Sequence, residues 1–236
     1  MKLRVIRVTI LLILVFCSTM WADDEVFFHD DFLDLHNWEP LYLPHVKNHT
    51  IYEAVKENGR TFLKTQSQAS ASALVSTKMF NPYIYPHLRW RWKVDNIYQK
   101  WDSKKKSGDD YPIRIYVMFQ YNPESASFSE KLLYKTLKIL YGQYPPHSSL
   151  CYAWASALTE DEMITSPYTK RAKLIFQEQG SAKLGQWLDE QANILDDYKK
   201  AFGKDPLDKA AIAIMNDSDD TGEAAVSYVE YVEVSK

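Results

Sequence analysis

The segment His87-Leu-Arg-Trp-Arg-Trp-Lys-Val94 alternates apolar and basic residues without a break. Leu88, Trp90, Trp92 and Val94 share one side of an extended chain, and His87, Arg89, Arg91 and Lys93 the other. Successive strand side chains point to opposite faces, so the pattern predicts a strand in a sheet with one oily and one cationic face. A second run, residues 113–119, follows Gly108-Asp109-Asp110 and predicts another strand. Residues 26–32, 50–55, 61–65, 69–77, 150–155, 172–176, 210–215 and 225–234 read as further strands. Asn58-Gly59 marks a hairpin, because both residues tolerate positive φ. An acidic turn over 216–222 joins the two closing strands.

The period changes over 128–141. There Phe128, Leu132, Leu133, Leu137 and Leu140 recur at three and four residues, which predicts an amphipathic helix lying on the sheet edge with that stripe turned inward. Residues 193–202 predict a second, shorter helix ending at Gly203. Many strands, few helices and no βαβ rhythm give a mainly β fold. The expected architecture is an antiparallel β-sandwich of jelly-roll, galactose-binding-like or lectin-like kind, with one or two short helices.

A chain of 236 residues, 46% hydrophobic and 14% aromatic, suffices for one domain with a packed core. The first 22 residues differ from the rest: Lys2, Arg4 and Arg7 precede an apolar run ending at Cys17, with Ser18 and Ala22 beyond it. This is the layout of a secretory signal peptide, and the run is short for a spanning helix. The expected organisation is a signal peptide at 1–22 and a single domain at 23–236, placed in the periplasm or secreted. A membrane association would come only from an uncleaved leader. Its removal takes away three basic groups and no acidic ones, moving the formal charge from −3 to −6. That balance argues against nucleic acid as a partner. Only Cys151 then remains, in an apolar run, where it reads as a small buried hydrophobe.

Candidate chemistry rests on three acidic groups. Asp217, Asp219 and Thr221 alternate before Gly222, imitating the start of an EF-hand loop, but Tyr228 stands where the bidentate Glu belongs. The turn is therefore either a non-EF calcium site, with Asp217, Asp219 and Thr221 as ligands, or a polar hairpin turn in which Asp and Asn side chains bond the backbone. Asp109 and Asp110 form the second group, and Asp196-Asp197 the third. Arg89, Arg91, Arg114, Asp109 and Asp110 either pair with one another or line a groove for the hydroxyls of a sugar, with Tyr116 or Trp154 stacking on the ring. Paired acids also hydrolyse glycosides at defined separations. The six His show no metal-motif spacing, and there is no nucleophile elbow, phosphate loop or dinucleotide fingerprint.

Taken together, Asp31-Phe32, Trp38, 69–73, 88–94, 108–114, 141–146, Tyr152-Ala153-Trp154, Asp197-Tyr198, Phe202-Gly203 and 212–222 resemble the exported bacterial proteins grouped as domain of unknown function 3047. That family typically shows Thr-Asp-Thr-Asp-Asn-Thr-Gly at the last turn. Here Asn216, Ser218 and Asp220 replace three of those residues, while Asp217, Asp219 and Thr221 match. The resemblance implies export and a single domain, and brings no activity with it. The expected role is non-catalytic binding of a glycan or other envelope ligand. The alternatives are a polysaccharide-active enzyme and a structural envelope protein.

N-terminal sequencing of the protein recovered from the periplasmic fraction should find a start between Ser18 and Asp24. An intact Met1 in the membrane pellet would replace the signal peptide by an anchor.

Overall fold

The computed structural model describes residues 25–124, 126–141 and 144–236, without the side chains of 139–141. The expected signal peptide at 1–22 lies outside the described residues. In chain order the strands are β1 (Val26–Asp30), β2 (Trp38–Leu41), β3 (Ile51–Glu57), β4 (Arg60–Gln68), β5 (Ala71–Ser76), β6 (His87–Val94), β7 (Arg114–Phe119), β8 (Ser148–Ala155), β9 (Met163–Thr165), β10 (Ala172–Gln179), β11 (Leu188–Asn193), β12 (Ala210–Asp217) and β13 (Ala224–Ser235). Helix α1 (Phe128–Tyr141) separates β7 from β8, and α2 (Ile194–Phe202) follows β11.

The strands form two sheets, which makes the fold a β-sandwich. The first runs β11-β6-β13-β4-β3, with β1 also paired to β13. The second runs β2-β5-β12-β7-β8-β10-β9. Strand β13 pairs with β6 along most of its length, while β4 takes its first half and β1 its last. The two therefore share one edge of β13 end to end. Beyond the last strand, the Lys236 N–H donates to the Glu25 carbonyl (3.0 Å), and its Nζ meets the Glu25 carboxylate at 2.6 Å. The pairing is antiparallel except between β8 and β10, which run parallel.

Alternation along β6 becomes burial. Leu88, Trp90, Trp92 and Val94 are fully enclosed, facing Ile115 and Val117 of β7, Leu150, Tyr152 and Trp154 of β8, and Ile212 and Ile214 of β12. Trp90 meets Tyr152 with ring centroids 5.2 Å apart, and Trp92 meets Trp154 at 6.2 Å. The basic side of β6 faces solvent over the first sheet. There Arg91 lies 3.2 Å from Glu230, and Arg89 3.5 Å from Glu233.

Three strands escape the sequence pattern: β2, β9 and β11. All three are sheet edges. They are short, broken by Pro40 in β2, or polar, as in Leu-Asp-Glu-Gln-Ala-Asn of β11. Such composition protects an edge from pairing with other chains, and it also erases the alternation. Helix α2 begins as its sequence demands, with the Asn193 side chain accepting from the Leu195 and Asp196 N–H groups, and it ends at Gly203 with φ +67°.

Two expectations are corrected. The first half of the α1 stripe does not face the core: Phe128 is 84% exposed, Leu132 60% and Leu133 44%. The helix is instead held through Tyr134, which stacks on Tyr121 at 3.7 Å and accepts a hydrogen bond from Arg171 (2.9 Å). The last two long strands do not form a hairpin either. β12 belongs to the second sheet and β13 to the first. The acidic turn is thus a corner that carries the chain from one layer to the other.

Replacing Trp90 by Ala should cost roughly 3–5 kcal/mol in a denaturant titration, because it empties the centre of the inter-sheet core. A loss below about 1 kcal/mol would mean that this contact is dispensable.

Candidate functional site

Inward-pointing Ile115, Val117, Ile212 and Ile214 force their neighbours Arg114, Tyr116, Met118, Ala213, Met215 and Asp217 onto the outer face of the second sheet. Much of that face is small: Ala73 from β5, Ala213 from β12, and Ser149, Cys151 and Ala153 from β8. Small side chains leave a trough. On one side Leu41, Leu43 and Val46 pack over Ala71, Ala73 and Met215. On the other, Trp101 and Tyr111 cover Cys151, Ala153, Leu174 and Phe176. Between these walls lies a groove of about 560 Å³, lined among others by Leu43, His45, Arg114, Tyr116, Tyr168 and Asp217.

Tyr168, at the tip of the β9–β10 hairpin, leans toward the acidic corner. Its hydroxyl donates to the Asp220 carboxylate at 2.6 and 2.7 Å, while half of its surface stays exposed. Lys106 lies over its ring at 5.0 Å, and the side chain borders the groove.

One end of the groove is acidic. The corner 216–222 and the loop holding Asp109 and Asp110 meet there, fastened by backbone bonds. The Tyr111 N–H donates to the Asp217 carboxylate (3.1 Å), and the Asp217 N–H returns to the Tyr111 carbonyl (3.3 Å). Asp110 accepts from the N–H groups of Thr221 (2.6 Å) and Asp220 (3.3 Å). Asn216 anchors the corner to the first sheet by donating to the Thr65 hydroxyl (2.9 Å). Gly222, at φ +72°, supplies the left-handed residue that the bend requires.

Carboxyl oxygens of Asp110, Asp217 and Asp219 lie within 4.8 Å of one another. Arg114 forms a buried ion pair with Asp217 and lies over the Tyr111 ring at 4.8 Å. Burial is the largest influence on Arg114 and opposes its charge, but Asp217 and the other groups around it, Asp109 among them, together outweigh it and hold the guanidinium protonated. For Asp217, burial raises the carboxyl above its ordinary range, against the pull of Arg114. Asp109 is pushed up to about 6, chiefly by burial, with Arg114 opposing and Asp220 adding to the rise. Its Oδ1 is buried without a hydrogen-bond partner, as is the nearby Tyr111 hydroxyl.

The structure therefore gathers Asp109, Asp110, Arg114, Tyr116, Asp217 and Asp219 at one place. Thr221 is close, but its hydroxyl accepts from the Glu223 N–H (3.3 Å) within the turn. Arg89 and Arg91 belong to the opposite sheet and do not reach the groove. Trp154 is corrected outright as a stacking platform. It is fully buried between the sheets, with its indole N–H donating to the Gly180 carbonyl (3.0 Å). Every residue of β8 is buried, so its pattern hides which side faces out. Asp197 is also structural, accepting from the Tyr152 hydroxyl at 2.9 Å. Cys151 lies under the groove face, its thiol pushed up to about 12 by burial, which keeps it from acting as a nucleophile. Tyr168 and the wall at 41–46 were missed, because a loop's position over a sheet leaves no periodic mark in the sequence.

Fold and site together define a two-sheet β-sandwich with a grooved outer face and an acidic corner at the groove's end. The chain belongs to the family described as "Protein of unknown function (DUF3047)", which matches residues 36–233. No curated protein matches it. Among solved structures it is similar to a family 11 carbohydrate-binding module from Clostridium thermocellum, in complex with a beta-1,3-1,4-mixed-linked tetrasaccharide. The identity is 8%, covering 87% of this chain and 92% of that one, with a TM-score of 0.44. A winged bean acidic lectin complexed with methyl-alpha-D-galactose is also similar, at 11% identity, 89% and 97% coverage and a TM-score of 0.41.

The Arg114–Asp217 pair yields a direct test. Arg114→Met should cost roughly 3–5 kcal/mol, since it strands a buried carboxylate. Adding Asp217→Asn should recover at least about 1 kcal/mol in a urea titration. Strictly additive losses would show that the two groups do not support each other.

Proposed function

We propose that the protein is exported and binds a glycan, without catalysis, in the groove on the outer face of the second sheet. The observation that carries this is the groove itself. It is open along a rigid sheet, floored by small side chains, walled by apolar ones, and supplied at one end with a fixed Arg–carboxylate array. Sugars present flat apolar ring faces and many hydroxyls, so they need both a ring platform and polar groups whose geometry is set in advance. Tyr116 and Tyr168 offer the first, and Arg114, Asp109 and Asp219 the second. Export rests on the first 22 residues.

A hydrolytic role draws less support. Glycosidases place two carboxyl groups on either side of the scissile bond, about 5–5.5 or 6.5–9.5 Å apart. The acids that line this groove are Asp109, Asp217, Asp219 and Asp220, all from the two loops at one end. None of the described lining residues places a carboxylate on the facing wall.

A glycan array probed with the purified protein should show retention on one class of polysaccharide. Tyr168→Ala and Tyr116→Ala should each weaken that binding about tenfold, close to 1.4 kcal/mol. Release of reducing ends from the retained glycan would favour the enzyme. An array with no signal would remove the glycan reading.

A further inference from the structure

We propose that Asp110, Asp217 and Asp219 form a calcium site at the sheet-to-sheet corner, with Asp109 closing the shell. The site stands whether or not the groove takes a glycan.

The corner concentrates negative charge that the protein does not balance. Five carboxylates converge: Asp109, Asp110, Asp217, Asp219 and Asp220. Among the described residues, Arg114 is the one buried cation beside them, and it is already engaged by Asp217. Lys100 and Lys106 are near, but Lys100 donates to the Thr221 carbonyl (3.2 Å), and Lys106 lies over the Tyr168 ring at 5.0 Å. Buried like charges are held at this spacing at a high free-energy cost unless a cation lies among them.

Crowded acids alone do not make a site, and a separate observation points to a ligand. Asp109 is only 4% exposed, and its Oδ1 has no hydrogen-bond partner. It lines the same cavity as Asp217, Asp219 and Asp220. A buried carboxylate oxygen without a hydrogen-bond partner, in the cavity that Asp217 and Asp219 also line, has room for a cation as its partner.

The donor set selects the ion class. All the side-chain donors are carboxylate oxygens, with no His in the cluster and the Cys151 thiol under the floor. That excludes the nitrogen and sulfur preference of zinc and copper. Asp110 and Asp217 are fixed by backbone N–H groups, whereas Asp219 is exposed on the corner and free to adjust. Calcium accepts six to eight oxygens in flexible geometry, and magnesium demands a regular octahedron and keeps its waters. Uneven donors, of which Asp217 and Asp219 line the groove, suit calcium, with water completing the shell.

Calorimetry on the chelator-stripped full protein, titrated with calcium chloride, tests the site. One calcium per chain should bind, and magnesium chloride should compete at least tenfold more weakly. At about 100-fold excess over Kd the melting temperature should rise by roughly 5 °C or more. Asp219→Asn is the informative variant, because its exposed side chain holds up no part of the fold. It should weaken calcium binding at least tenfold, and its melting temperature without calcium should equal or exceed that of the parent, since one of several repelling charges is gone. A carboxylate with a purely structural role would lower the calcium-free value instead. Asp109→Asn should act in the same direction. Absence of both heat and thermal shift, equal binding of magnesium, or a full calcium response in Asp219→Asn would each overturn the proposal.

Discussion

Two indole contacts set the spacing of the sandwich. Trp90 against Tyr152 and Trp92 against Trp154 join an interior strand of one sheet to an interior strand of the other. Such pairs contribute about 0.5–1.5 kcal/mol each beyond the apolar area they bury. Their larger effect is geometric. Once Tyr152 and Trp154 point inward, Cys151 and Ala153 must point outward, and in the antiparallel register Arg114 stands opposite Ala153. The floor of the groove and the placement of its one arginine are therefore fixed by the core on the other side of the same strands.

The sequence made the middle of the sheets legible and left their edges and corners obscure. β6 and α1 have the bounds their periodicity predicts, because a buried face imposes a regular pattern. Edge strands β2, β9 and β11 carry no such pattern, since their composition answers to solvent as much as to the core. The acidic residues of the candidate site could be picked out as clusters. Their convergence could not, because residues 109–110 and 216–222 lie about a hundred positions apart and meet only where the chain changes layers. The same blindness set Arg89 and Arg91 beside Arg114 in the expected groove, although they occupy the opposite face of the molecule. Trp154 misled for a third reason: a strand buried on both sides has no polar face to orient it.

The corner concentrates two demands in seven residues. It must cross from β12 to β13 between layers, so its backbone groups need partners that no sheet ladder supplies. Asp110 provides two of them, by accepting the N–H groups of Asp220 and Thr221. Asp217, which accepts the Tyr111 N–H at the same corner, also lines the groove, and Asp110 lies buried beside it. Rigidity of the fold and readiness of the site thus rest on the same side chains, and substitutions there will tend to alter both.

The join between Glu25 and Lys236 gives the molecule a front and a back. Both ends of the described chain lie at β1 and β13, in the sheet that does not carry the groove. A tether attached at either end would hold the domain by its back, leaving the grooved face turned outward toward whatever lies opposite the anchorage. Chains joined at Glu25 and at Lys236 would leave the domain from one point, too close together to brace the groove from both sides.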